Sequence, residues 1–408
     1  MKHKIIIIGG GAAGLMAAIF AARNHNEVVV LEHTDKIGKK LLSTGNGRCN
    51  LTNTDMNMSC YHCKDSRFVA SVLNRFNETN TMEFFHQLGL YFKNRDGYIY
   101  PYSNQASSVL EVLLLECRKL GVKIQYEIEI NKITPIKKGN KFKINTYQEE
   151  YLCDKVIIAT GSKAAPKTGS DGSGYKLLKQ LGHHIVTPLP ALTALRCSNK
   201  CTKSLAGVRT DGVVSIYVDK ELKGKDQGEI QLTDYGISGI PVFQVSRYAS
   251  VALNNHKKVE AVIDFFPLQE YEQLLSWMKE KFTKNPERTL EEHFIGVLNN
   301  KLAKVIIKEA GFLSEQPGSS FNENELKALV QKIKYFSFTV TKTNAYDQAQ
   351  VCCGGVSIDD INYDTLESKV VPNLYVAGEV IDVDGICGGY NLQWAWSTGY
   401  IAGTHAGE

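Results

Sequence analysis

Ile5-Ile6-Ile7-Ile8-Gly9-Gly10-Gly11-Ala12-Ala13-Gly14 decides how the rest of this 408-residue chain is read. The branched apolar run enters a glycine turn and is followed by an Ala-rich segment from Leu15 to Arg23. Val28-Val29-Val30-Leu31 then leads to Glu32. The order is strand, glycine turn, helix, strand, acid. Gly9, Gly11 and Gly14 fill the three glycine positions of a dinucleotide fingerprint. The first permits the tight turn, the second a close approach of backbone to pyrophosphate, and the third helix–strand packing. Ala12 and Ala13, inside the turn, are counted with the cofactor-binding residues, and the helix that follows offers N–H groups and a partial positive charge that suit phosphates. Glu32 is placed to accept hydrogen bonds from a ribose. A secretory signal peptide would share the charged Met1-Lys2-His3-Lys4 start and the apolar run to Ala22. Four glycines inside that run, and the β-type stretch behind it, argue against one.

Outward from this stretch the composition is ordinary: 43% hydrophobic, 22% charged and a net charge of +4. Length predicts two or three domains. No apolar run approaches the roughly 20 residues that span a bilayer, so no membrane partner is expected. The charge is too small to imply a nucleic-acid partner. Lys39-Lys40, Lys137-Lys138 and Lys257-Lys258 read as solvated pairs, and no basic stripe with interleaved aromatics stands out, so nucleic acid is not expected. Ten cysteines without a signal segment point to reduced thiols in a cytoplasm. Cys60-Tyr61-His62-Cys63 is the one C-x-x-C; it lies in a polar loop, and no second pair completes a zinc site. It reads as structural, with a redox pair as the alternative, and no metal site is expected.

Beyond Glu32, Gly45-Asn46-Gly47-Arg48-Cys49-Asn50 reads as a second wrap around the cofactor, with Arg48 supplying charge and the asparagines and backbone supplying donors. Residues from Phe68 to Leu88 are helical, and Tyr98, Tyr100 and Tyr102 alternate as a strand, read as core and surface packing with substrate contacts as the alternative. Ser107 to Leu120 is a helix stopped by Gly121. Val122 to Ile130, Lys141 to Thr146 and Val156 to Ile158 are strands. Ile130, and the turn Ala159-Thr160-Gly161, are counted with the cofactor-binding residues. Gly169 to Gly174 has the wrong spacing for a second fingerprint, which leaves one nucleotide site. Pro188-Leu189-Pro190 looks like a linker. A β-rich stretch follows, with a turn near Gly224, and then a helical one from Leu268 to Lys334. In the latter Pro286 breaks, Thr289 caps with Glu292, and Gly311 stops. The expected domains are 1–190 with 341–408 around the cofactor, a β-rich insert at 191–267 with 335–340, and a helical insert at 268–334.

The C-terminal segment returns to the opening style. Leu374-Tyr375-Val376-Ala377 is a buried-type strand ending at Gly378-Glu379. Gly388-Gly389-Tyr390-Asn391 then opens a helix from Leu392 to Ala402. Gly378, Glu379, Gly389, Tyr390, Asn391, Leu392 and Gln393 therefore join the cofactor-binding set. A helix N-terminus aimed at a flavin would favour the negative charge that reduction places at its pyrimidine edge. Glu379 would bind the ribityl chain or sit near the pyrophosphate.

These blocks resemble the bacterial BaiN/aminoacetone-oxidase-like flavoproteins of the two-dinucleotide-binding-domain superfamily. The likeness rests on Gly9–Gly14 with Glu32, on Gly45–Asn53, and on Gly378-Glu379 to Asp384-Gly385 with Gly388–Ala395. Gly236-Ile237-Ser238-Gly239 and Gly354-Gly355-Val356 also fit. The family often has His where Asp234 stands and Thr where Cys352 stands. The resemblance implies an α/β protein with a Rossmann-like FAD domain built from both chain ends, a β-barrel-like insert, a small helical insert, and noncovalent FAD. It implies an oxidoreductase moving a hydride between NAD(P)H or a small organic substrate and the flavin. The leading reading is a reductase of an unsaturated or carbonyl compound. A flavin oxidase of a small amine, a flavoprotein acting on tRNA and a redox sensor are the alternatives. Arg48, Tyr390 and Asn391 are the catalytic candidates, and the sequence leaves Cys387, Cys60 and Cys63 open as redox thiols.

Overall fold

A computed structural model describes residues 2–136 and 141–408; the Lys137-Lys138 pair lies outside the described residues. The chain forms two compact units, Met1–Leu189 with Gln350–Glu408, and Pro190–Ala349.

The first unit is built on a parallel sheet. β1 (Lys4–Ile8) runs into α1 (Ala12–Arg23) and β2 (Glu27–Leu31); β3 (Lys123–Gln125), β4 (Lys155–Ile158), β5 (Leu374–Val376) and α2 (Tyr390–Gly407) complete the frame. The strand order is β5-β4-β1-β2-β3, parallel at each pairing. Strands buried on both faces need unbroken apolar runs, which is why β1 is four isoleucines no more than 5% exposed. Strand order reverses at β1, so the crevice beyond the carboxyl ends of β1 and β4 is where a ligand belongs. The two helices meet through small residues. A Cβ at Gly399 or Gly403 of α2 would stand 2.5 Å from the carbonyl oxygen of Ala13 or Ala17 in α1.

A three-stranded antiparallel sheet (Ile130–Ile136, Lys141–Thr146, Glu150–Cys153) and a second one (Thr52–Asn53, Tyr98–Pro101, Phe92–Arg95) flank this frame. The Phe92–Arg95 and Tyr98–Pro101 strands form a hairpin. Its Asp96-Gly97 turn has both residues left-handed (φ 50° and 92°), as a tight primed turn requires. Four local expectations change here. The Val122–Ile130 strand is only Lys123–Gln125, since the chain turns left-handed at Glu127 (φ 59°), and Ile130 opens a different sheet. The Phe68–Leu88 helix is two helices, Ser66–Arg75 and Glu78–Gln87, because Asn77 and Asn80 form a reciprocal cap between them. Pro188 to Pro190 lies within a strand, Ile185–Ala191, and not in a loose linker. Cys60 is buried, beside the short Tyr61–His62 strand paired with Asp384–Gly385, and not in a polar loop.

The second unit contains a closed six-stranded barrel, in the order Leu195–Cys197, Gly236–Ser238, Glu221–Thr233, Arg209–Val218, Val259–Asp264, Phe336–Thr343. The turn expected near Gly224 is at Asp219-Lys220 (φ 49° and 71°). Gly224 lies inside the strand because any Cβ there would come within 2.4 Å of the Tyr248 ring. Helices Tyr271–Lys284, Asn300–Glu309 and Glu323–Lys334 share a hydrophobic core with the barrel. Thr289 and Glu292 form the expected capping box, and Gly311 follows the Asn300–Glu309 helix at φ 89°. Lys334 is 7% exposed, yet its ammonium meets Asp264 at 2.7 Å and donates to the carbonyls of Phe266 and Gln269, so the buried charge is satisfied.

Candidate functional site

The β1–α1 turn is fixed by sterics. Gly9 sits at φ +102°, and a Cβ there would be 2.5 Å from the Ala159 carbonyl oxygen at the end of β4. At Gly14 a Cβ would fall 1.9 Å from the oxygen of Gly9, so α1 can seat itself on its own turn only with glycine there. Gly11 differs: a Cβ there would meet no atom within 4 Å. No side chain caps α1 at its N-terminus. A helix start with backbone N–H groups and no side-chain cap suits a pyrophosphate.

Glu32 ends β2 and is 7% exposed. One carboxylate oxygen accepts the Gly10 N–H at 2.8 Å and the other the Thr34 N–H at 2.9 Å. The anion is thus oriented by backbone; the His33 ring nitrogen stands 3.3 Å from the oxygen that meets Thr34, and the other oxygen keeps a lone pair for a ribose hydroxyl. Nearby, the Ile128 N–H bonds the Glu32 carbonyl. Ile130, two residues further on, is half-buried and starts the neighbouring antiparallel sheet.

Gly45, Asn46, Gly47 and Cys49 all have positive φ (56°, 57°, 82° and 59°), so the loop coils tightly on itself. Its closing bonds run from the Arg48 N–H to Gly45 and from the Cys49 N–H to Thr44. Cys49 is fully buried, and burial pushes its thiol up to about 12, so it is packing and no nucleophile at neutral pH. Arg48 is exposed and makes no ion pair among the described residues. The Asn50 side-chain oxygen and the Thr160 hydroxyl, the latter in the Ala159-Thr160-Gly161 turn, are both buried without a hydrogen-bond partner. Buried polar atoms of that kind are costly unless something meets them.

At the far end of the chain, Gly378 is left-handed and Glu379 is half-buried. Glu379 binds Lys40 at 2.6 Å, the Ser162 hydroxyl at 2.7 Å and the Cys352 N–H at 3.2 Å. Lys40 and Ser162 are the residues that sequence reasoning missed, while Cys352, noted there only as a departure from the family's Thr, contributes its backbone N–H. Lys40 looked like half of a solvated pair, and no local signal ties it to an acid 339 positions away. Gly389 precedes α2 at φ 98°, and again no side chain caps the helix. The polar side chains behind it hold the helix in place. Asn391 clasps both the N–H and the carbonyl of Gly385 at 2.8 Å. Gln393, fully buried, accepts from Thr52 at 2.6 Å and donates to the Phe76 carbonyl and to Ser397. The Tyr390 hydroxyl donates to the Asp55 carbonyl at 3.0 Å, and burial holds its pKa well above the ordinary phenol value. Leu392 is half-buried against the core. Of the three catalytic candidates, Tyr390 and Asn391 therefore spend their polar atoms on backbone, and Arg48 alone is left for a ligand.

The Gly9–Gly14 turn, Glu32, the Gly45–Asn50 loop, the Ala159–Gly161 turn, Gly378-Glu379 and the α2 N-terminus all fall within the first unit. The open space at Gly11, the two orphaned oxygens and the two uncapped helix starts fit a flavin dinucleotide. Among the described residues no group of His, Cys, Asp or Glu could hold a metal, and no helix is long and apolar enough to cross a membrane.

Together the fold and this site define an FAD-dependent oxidoreductase. The profile of the HI0933-like protein Rossmann domain matches residues 3–405, and the chain belongs to that family, in accord with the resemblance read from its motifs. It is similar to the 3-dehydro-bile acid delta(4,6)-reductase of Clostridium scindens, 43% identical over 408 residues, covering 100% of this chain and 99% of that one. The ribosomal RNA dihydrouridine synthase of Haemophilus influenzae is 31% identical over 401 residues, with 97% and 96% covered. Among solved structures, the 3-ketosteroid-delta4-(5alpha)-dehydrogenase of Rhodococcus jostii shares the fold at a TM-score of 0.51 and 15% identity, covering 100% and 97%.

Proposed function

We propose that this enzyme works as a reductase of a carbon–carbon double bond conjugated to a carbonyl, with NAD(P)H as the electron source. The observation that carries the reading is chemical. Two full-length relatives are named for the same transformation on dissimilar molecules, a 3-keto compound with double bonds at positions 4 and 6 and the uracil ring. For a double bond conjugated to a carbonyl, the chemistry is a hydride to the far end of the conjugated system and a proton to a carbon nearer the carbonyl, and NAD(P)H oxidised to NAD(P)⁺ would supply the hydride. Bound noncovalently, FAD would supply the hydride relay between the nicotinamide and the substrate.

The chain's own residues do the rest. Glu32 would hold the ribose and the α1 N-terminus the pyrophosphate. Asn50 and Thr160 would meet polar groups of the cofactor, and the α2 N-terminus would lend positive potential to the flavin as it is reduced. Arg48 polarises the substrate carbonyl or holds a substrate anion. Tyr390 and Asn391 are positioning residues that fix the α2 start. In the inserted chain, residues 191–267 with 335–340 and residues 268–334 serve as a barrel domain and a helical domain, with the cofactor domain drawn from 1–190 and 341–408.

Anaerobic mixing of the FAD-loaded enzyme with NADH or NADPH, followed by flavin absorbance, tests the reading. Bleaching by one of them and recovery on adding a steroid 4-en-3-one or uridine-containing RNA is the expected result. Bleaching by a small amine and by neither nicotinamide would overturn it.

A further inference from the structure

The chain carries a single dinucleotide fingerprint, Gly9–Gly14, and the flavin takes it. A nicotinamide donor needs a second place to dock. It must also leave after each turnover, which an open surface allows and an enclosed cleft hinders.

The Phe92–Arg95/Tyr98–Pro101 hairpin has such a surface. Its register sets Arg95 opposite Tyr98 and Lys93 opposite Tyr100. One step beyond, the Tyr102 N–H bonds the Tyr91 carbonyl, which continues the pairing. Side chains alternate across a strand, so these six residues share one face. Ile99, 3% exposed, and Pro101 pack on the other.

The two cations lean along the hairpin, away from its turn. Arg95 lies 5.8 Å from the ring centre of Tyr100, and Lys93 5.6 Å from that of Tyr102, whose carbonyl it meets at 3.1 Å. From the turn outward the order is Tyr98, Arg95, Tyr100, Lys93, then Tyr102 beside Tyr91. The outer rings are open, Tyr102 71% and Tyr91 74% exposed. Among the described residues no carboxylate forms an ion pair with Lys93, Arg95 or Arg48. The Lys93 ammonium is held below its ordinary pKa, first by desolvation and then by the charges of Arg95 and Arg48. A compact anion would relieve that repulsion.

The inner end of the face meets the segments assigned to the flavin. Asn53 pairs with Tyr98 across the sheet, and its side-chain amide donates to the Gly388 carbonyl, just before α2, at 3.0 Å. A Cβ on Gly388 would stand 3.0 Å from the Tyr98 ring, and one on Gly45 3.6 Å from the Tyr100 ring. From Tyr98 to Tyr102 the strand rises about 13 Å, room for a pyrophosphate with a nucleoside at each end.

We infer that this hairpin face is the docking site of the nicotinamide dinucleotide that reduces the flavin. Arg95 and Lys93 hold its pyrophosphate, Tyr102 and Tyr91 receive the adenine, and the nicotinamide lies at the Tyr98–Gly388 end. The inference rests on the reductase reading, which requires such a donor. Two cations match the two charges of a pyrophosphate, and exposed rings take the flat face of a purine. A single carboxylate on a substrate would occupy one cation and leave the other, and the outer rings, without a role. NADH and NADPH share the groups that this face meets; either gives up a hydride to the flavin and leaves as NAD(P)⁺.

Calorimetric titration of the FAD-loaded chain with ADP-ribose tests the site without turnover, since that molecule has the adenosine and pyrophosphate but no nicotinamide. Binding at low salt that weakens as salt is added is expected. Lys93→Ala/Arg95→Ala should weaken it about tenfold, with flavin content at 450 nm retained. Tyr102→Ala, at a position too exposed to support the core, should weaken it about fivefold. Lys200→Ala/Lys203→Ala, which removes two exposed charges from the other unit, should change nothing. In anaerobic rapid mixing, the NADH or NADPH concentration that half-saturates flavin bleaching should rise in the hairpin double variant by the factor seen with ADP-ribose. Bleaching whose half-saturation ignores both the hairpin substitutions and added ADP-ribose keeps the reductase reading and overturns this site. ADP-ribose binding lost with the hairpin cations, in a chain whose flavin neither nicotinamide bleaches, upholds a dinucleotide site and overturns the reductase reading instead.

Discussion

α1 and α2 both begin at a glycine, both lack a side-chain cap, and both are read as facing the cofactor. They are held in different ways. The α1 start is shaped chiefly by backbone sterics, with Gly9 and Gly14 leaving room for carbonyl oxygens within 2.5 Å of where a Cβ would be, and Glu32 adds one side-chain bond to the Gly10 N–H. The α2 start is moored by side chains, Asn391 to Gly385, Gln393 to Thr52 and Phe76, and Tyr390 to Asp55. A turn made by sterics tolerates no added atom. A turn made by hydrogen bonds loses a measurable amount with each bond.

Four substitutions probe that contrast. Gly14→Ala should have the largest effect, because its methyl would overlap a backbone oxygen that cannot move without opening the turn; FAD content at 450 nm should fall to background. A variant that purifies fully loaded with flavin would show the turn to be softer than its geometry says. Next comes Gln393→Ala, which strands the Thr52 hydroxyl in a dry interior and takes one of two donors from the Phe76 carbonyl, which keeps Ser397. A loss of about 2–3 kcal/mol in urea unfolding is expected, and a loss below ~1 kcal/mol would break the comparison. Glu32→Gln keeps the shape but removes the anion, so FAD affinity should weaken about tenfold, or ~1.4 kcal/mol, by fluorescence titration. Smallest should be Lys40→Met. The Lys40–Glu379 pair is partly open to solvent, with side chains 26% and 16% exposed, and its removal should cost under ~1 kcal/mol in the same unfolding assay.

The contrast also explains what could be read from the chain. The α1 turn was legible because its causes are local: β1, the glycines and Glu32 fall within 32 residues. The existence of the α2 segment was legible too, from its strand, glycines and helix. Its fastening was not, since Thr52 reaches Gln393 from 341 residues away and Lys40 reaches Glu379 from 339. Asn391 illustrates the limit: beside a glycine pair it read as a ligand group, and it proves to clasp Gly385. In the barrel, Gly224 looked like a turn because glycine there answers to a distant ring, Tyr248.

The packing of α2 on α1 has a consequence for how the protein is made. Asn26, just beyond α1, donates to the Gly407 carbonyl 381 residues later. At roughly 5–20 residues per second, the ribosome takes about 20–75 s to cover that distance. Through that interval the glycine turn, β1 and the apolar side of α1 have emerged without the helix that covers them. The newborn chain must keep its isoleucine strand from pairing elsewhere, and its cofactor cannot be enclosed until the final turns of α2 leave the exit tunnel.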